Sequence, residues 1–153
     1  MNVTPEMSAE DYRALVNGKM PEDRWRRIVT DAARDTGWEV LLEIPARAYA
    51  AIANALCPYS KAHKRRDCGS YNRMVLAKLK GWPDLAIINR RHRVTFHIEF
   101  KRQGREPEPE QIERIEQINA GGGCAFVLEP GDWDSVILPA LVNGRCPVGV
   151  RDE

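Results

Sequence analysis

No stretch of this sequence is apolar for long enough to span a membrane. The longest apolar runs, such as Leu85-Ala86-Ile87-Ile88, fall far short of the ~20 residues required. Aromatic residues are scarce at 7%, and the four cysteines (Cys57, Cys68, Cys124, Cys146) contain no CxxC pair. That density is too low for a disulfide scaffold, so reduced thiols are the expectation. The Cys57, His63 and Cys68 spacing also lacks the tight ligand pairs of a zinc site. The opening Met1-Asn2-Val3-Thr4-Pro5-Glu6 has neither a basic start nor an apolar stretch, which predicts no secretory signal and a cytoplasmic protein. Net charge is nearly missing too, at +1 from 23 basic and 22 acidic residues.

What is present is one ordinary soluble domain: 153 residues, 43% apolar and 29% charged, enough for a sizeable core but not for two full domains. The charges are segregated. From Pro58 to Lys80 there are seven basic residues (Lys61, Lys64, Arg65, Arg66, Arg73, Lys78, Lys80) against Asp67 alone, whereas acids dominate from Gln103 onward. A neutral average therefore conceals a surface suited to a polyanion, and Tyr59 and Tyr71 within the basic stretch fit nucleic acid. Arg26 and Arg27 have the alternative reading of a hydrated surface.

Residues 1–20 read as an N-terminal arm or loosely attached helix, and 21–153 as the single domain. Trp25, Ile28, Val29, Ala32 and Ala33 share one helical face, with Pro21 at the entry and Gly37 at the exit. Strands are expected at 38–44, 85–88, 93–101 and 125–128, helices at 47–57, 72–79, 109–119 and near 133–142, and a loop at 58–69. Arg90-Arg91-His92 serves as a hairpin connection. The order predicts an α/β fold with a mixed sheet.

Chemistry concentrates in Pro83-Asp84, at the entrance to one strand, and Glu99-Phe100-Lys101 on the next. Residues two apart on a strand share a face at ~6.5 to 7 Å, so Glu99 and Lys101 lie together while Phe100 turns inward. If the two strands pair as a hairpin, Asp84 meets Glu99. Two carboxylates beside a lysine suit a hard divalent cation such as Mg²⁺. At ~100° per residue, Gln111 falls between Ile115 and Ile118 on the inward arc of its helix, and Glu22 falls within the arc of Trp25 and Val29.

Gly81-Trp82-Pro83-Asp84-Leu85, then Glu99-Phe100-Lys101-Arg102, then Gln111 after an acidic loop, resembles the VRR-NUC branch of the PD-(D/E)xK nuclease superfamily over about residues 21–141. The resemblance implies a restriction-endonuclease-like αβββαβ core with a central mixed sheet flanked by helices. It also implies a Mg²⁺- or Mn²⁺-dependent DNA endonuclease that leaves a 5′-phosphate and is structure-selective for branched DNA, in the manner of dimeric Holliday-junction resolvases. Asp84 and Glu99 would be metal ligands, Lys101 the residue that orients or activates water, Gln111 the family's helix-start glutamine, and Glu22 a further ligand, directly or through water. Arg26 departs from the glutamine that members often carry four residues after that glutamate. Lys61, Lys64, Arg65, Arg66 and Arg73 would hold the DNA backbone.

Plainer readings exist for each residue. Asp84 could cap a turn, Glu99 and Lys101 could form a weak pair on a solvated strand face, Glu22 could merely suit a helix N-terminus, and His97 could be a neighbouring surface group. The acidic run 106–116 reads as a solvated face. At the level of the whole chain, the rivals are a non-catalytic DNA-binding module on the same fold and a sequence-specific restriction-type nuclease.

Overall fold

The computed structural model describes residues 7–43 and 81–148. The expected helices at 47–57 and 72–79, the loop at 58–69, Cys57, His63, Cys68, and the basic residues Lys61, Lys64, Arg65, Arg66 and Arg73 lie outside the described residues.

Helix α1, Ala9–Val16, is capped by Ser8, whose hydroxyl accepts from the Asp11 N–H at 3.1 Å. It buries no residue fully, but Met7, Ala14 and Leu15 pack against the core and Arg24 forms ion pairs with Glu10 and Asp11. Met20, which closes the segment expected to be an arm, belongs to the core itself. Helix α2, Glu22–Asp35, starts after Pro21 and presents Trp25, Val29, Ala32 and Ala33 inward as the periodicity predicts. Burying a residue such as Val29 completely contributes about 1.5–3 kcal/mol. The helix ends in a Schellman motif, with the Gly37 N–H on the Arg34 carbonyl and the Trp38 N–H on the Ala33 carbonyl. Gly37 adopts φ +84°, which a side chain would resist.

Four strands follow: β1 Glu39–Glu43, β2 Leu85–Asn89, β3 Val94–Phe100 and β4 Cys124–Leu128, arranged β1-β2-β3-β4. The first two pairings are antiparallel, and β3 pairs with β4 in parallel. Helix α3, Pro109–Ala120, makes the crossover that a parallel pair requires. From α2 onward the described order is helix, three strands, helix, strand: a mixed α/β sheet flanked by helices. The β2–β3 hairpin turns through Arg90, Arg91, His92 and also Arg93, which sits at φ +56° and not in the strand. Buried Asn89 shapes the turn by accepting from the N–H groups of Arg91 and His92 at 3.0 and 3.1 Å.

Alternation sends Leu85, Ile87, Phe96, Ile98, Phe100, Phe126 and Leu128 into one core with α2. Trp38 lies on Phe96 at 4.4 Å between ring centroids, and Trp25 meets Trp133 and Phe100 edge-on. On the side of β4 away from β3, the Asn119 side chain pairs with both the N–H and the carbonyl of Ala125.

Two expectations need correction. The C-terminal helix near 133–142 is present but irregular: after a 3₁₀ turn, Pro130–Asp132, it opens as one π turn, Trp133–Ile137, before the short helix α4, Leu138–Asn143. Pro139 has no N–H to offer the Ser135 carbonyl, so a regular α-helix cannot run through it. Cys124 and Cys146 are also not free thiols but a disulfide with Cα atoms 5.8 Å apart. Their separation of 22 residues carries no local signal; the fold alone brings the start of β4 to the segment after α4. Among the described residues no helix is long and apolar enough to cross a membrane.

Candidate active site

Strand β3 supplies the first groups. Continuing the β2–β3 register one step past Leu85↔Ile98 sets Asp84 across from Glu99. Gly81-Trp82-Pro83 delivers Asp84 to that spot. Gly81 adopts φ +81° with its Cα so close to the Glu110 carbonyl that a Cβ would collide with that oxygen. Trp82 lies under the Arg114 guanidinium at 5.0 Å. The approach to β2 is thus pressed against the first turn of α3, the turn that carries Gln111.

Glu99 is only 2% exposed. One of its oxygens, Oε1, accepts from Lys101 Nζ at 2.6 Å and from Gln111 Nε2. Its other oxygen, Oε2, is buried with no hydrogen-bond partner among the described residues. Gln111 in turn accepts from the Glu108 N–H at 2.8 Å, so the same amide caps α3 and holds the acid. Asp84 Oδ2 accepts from the Phe100 N–H at 3.0 Å, a bond to the neighbouring strand and not the local turn or cap of its plainer reading, and this fixes the carboxylate beside Glu99. A solvated-face reading does not describe Glu99 and Lys101, since the exposed pairs it refers to are worth about 0–1 kcal/mol and lie in water. Here the acid is enclosed and the lysine side chain is 15% exposed.

The electrostatics follow from the burial. Loss of solvent, reinforced by the charge of Asp84 and by that of Glu22, pushes Glu99 up to about 7 against the opposing bond and charge of Lys101. Burial also raises Asp84, while the Phe100 N–H, Arg26 and Lys101 oppose the rise and Asp23 adds to it. Burial lowers His97, which is half-buried on the same face of β3. The structure therefore brings Asp84, Glu99, Lys101 and Gln111 together, with Glu22 near enough for its charge to reach Glu99. Among the described residues no three His, Cys, Asp or Glu side chains gather into a ligand cluster.

Comparison with family models, with curated proteins and with solved structures returns no significant match. The geometry has to carry the functional reading.

One residue at this centre escapes the sequence pattern. Arg26, read from the sequence as a nucleic-acid contact or a hydrated surface charge, is 6% exposed, and its charge acts on Asp84. The helical wheel held the clue, because positions four apart differ by only ~40°, so an inward Glu22 brings Arg26 inward with it. Trp25 anchors this end of α2: its indole N–H donates to the Leu128 carbonyl at 3.4 Å, the oxygen that also accepts from the Lys101 N–H at 3.1 Å. A cavity of about 390 Å³ beside the disulfide, lined by Ser135, Val136, Asn143 and Arg145 among others, borders none of these residues.

Proposed function

We propose that this chain is a Mg²⁺- or Mn²⁺-dependent DNA endonuclease on a restriction-endonuclease-like core of the VRR-NUC kind. The observation that carries the proposal is Glu99: a carboxylate 2% exposed, held on one oxygen by Lys101 and Gln111, with the other oxygen unsatisfied and Asp84 beside it. A buried acid without a partner on one oxygen is costly, and a hard cation shared with Asp84 removes that cost, so the donor set fits a divalent ion. Such an ion supplies charge neutralisation at a phosphate and a lowered pKa for water.

Asp84 and Glu99 would hold the cation, with Glu22 contributing charge nearby. Gln111 fixes the orientation of the Glu99 carboxylate through its bond to Oε1. The Lys101 ammonium, 2.6 Å from the same oxygen, is a point charge available to water or to a non-bridging phosphate oxygen. The order of the described elements, helix, three strands, helix, strand, further supports the reading. Lys61, Lys64, Arg65, Arg66 and Arg73 are the proposed backbone contacts, which makes affinity steeply salt-dependent. One site per chain cuts one strand, so symmetric cutting of a branched substrate calls for a homodimer.

The test is cleavage of labelled linear duplex, single strand, flap, splayed arm and four-way junction with Mg²⁺, Mn²⁺ or EDTA. Metal-dependent cutting that Asp84→Ala and Lys101→Ala each reduce at least a hundredfold is expected. Variants as active as the parent would falsify the site; binding of junctions with no product under any metal would favour the non-catalytic module.

A further inference from the structure

Arg26 is difficult to explain as a structural residue. Its guanidinium is buried, with the side chain 7% exposed, yet Nε has no hydrogen-bond partner among the described residues. Its ion pair among the described residues is Nη2 to Asp23 Oδ1 at 3.1 Å, and that carboxylate is 91% exposed; Asp84 also feels its charge but makes no hydrogen bond to Nε. An ion pair with so exposed a partner does little to offset the burial of a cation. In a guanidinium, Nε–H and one Nη2–H point the same way as the two prongs of a fork, a match for two oxygens of one phosphate. Asp23 holds Nη2, and the Nε–H prong has no partner among the described residues.

We infer that Arg26 anchors a backbone phosphate at this centre, with its Nε–Nη2 edge taking two phosphate oxygens and Asp23 swinging away into solvent. The position suits that role. Arg26 lies one helical turn after Glu22, on the end of α2 that Trp25 ties to the Leu128 carbonyl shared with Lys101. The charge of Arg26 reaches Asp84, and that of Glu22 reaches Glu99, so this end of α2 borders the proposed cation site. The identity of the anion as DNA rests on the nuclease reading; the Nε–H prong does not.

The experiment measures binding of a labelled duplex in EDTA and in Ca²⁺ across a salt series, using the full chain and Arg26→Gln. One lost phosphate contact lowers the slope of log K against log salt by about 0.9, and an affinity loss of about tenfold at low salt is expected. Asp23→Asn, which removes the negative charge that competes with phosphate for this edge, should tighten binding about threefold in the parent and have no effect in the Arg26→Gln background. Asp31→Asn, an exposed acid farther along α2, controls for general charge. Equal slopes for parent and Arg26→Gln, or an Asp23→Asn effect that is the same in both backgrounds or matched by Asp31→Asn, overturn the inference. If Arg26→Gln fails to fold, the comparison of Asp23→Asn with Asp31→Asn decides alone. Should the parent cut no DNA while the slope difference persists, the nuclease reading falls and the anchor stands; cutting with unchanged slopes gives the reverse.

Discussion

Glu99 is where the sequence pattern and the energetics meet most directly. Its carboxyl group titrates at about 7 in the folded chain, against an ordinary value of 4.5. A raised folded pKa means the folded state holds a proton that the unfolded state has lost. This contribution to stability is therefore complete below about pH 4.5 and lost as pH rises to about 7. The metal-free parent should melt at progressively lower temperature across that window relative to Glu99→Gln, with a difference on the order of 3 kcal/mol at pH 8. Paired melts of the two proteins in EDTA check this, and parallel pH curves would count against it. Adding Mg²⁺ at pH 8 should raise the melting temperature of the parent and leave Glu99→Gln unmoved. At this scale Asp84, Glu99, Lys101 and Gln111 were all readable, because strand alternation and helical periodicity state which way each side chain points. Arg26 was hidden by its chemistry: arginine is a surface residue by default, and only its angular distance from Glu22 argued otherwise.

At the level of elements, the site depends on a contact that involves no functional side chain. Gly81 lets the approach to β2 lie against the Glu110 carbonyl, and any Cβ there collides with backbone. Gly81→Ala should destabilise the fold by roughly 2–3 kcal/mol and move Asp84 away from Gln111, reducing cleavage more than tenfold even at temperatures where the variant is folded. Thermal melts alongside the cleavage assay separate the two effects. Asn89→Ala, by contrast, should cost about 1–2 kcal/mol through the hairpin turn and leave metal-dependent cutting intact where folded, since the turn is at the far end of β2 and β3. The strands and α3 were legible to within a residue or two, because apolar runs and alternation survive into the packed sheet. The last helix was not, since the pattern from Trp133 to Val142 is helical while Pro139 withholds the N–H that a regular helix would need.

For the molecule as a whole, the disulfide was the least readable feature. Cys124 and Cys146 become neighbours only once β4 is in the sheet and α4 has folded back. Closing a loop of this length contributes about 3 kcal/mol in the chain-entropy account. Urea denaturation with and without reductant should show that loss, and the double alanine variant should be insensitive to reductant. A second whole-molecule feature is the Leu128 carbonyl, on which Trp25 from α2 and the Lys101 N–H both converge. Every acid and cation assigned to the centre precedes Cys124, yet the oxygen that anchors two of its walls belongs to the last strand. A ribosome-bound nascent chain therefore carries all of these side chains before the strand that gathers them exists, and the centre can assemble only when translation has passed β4.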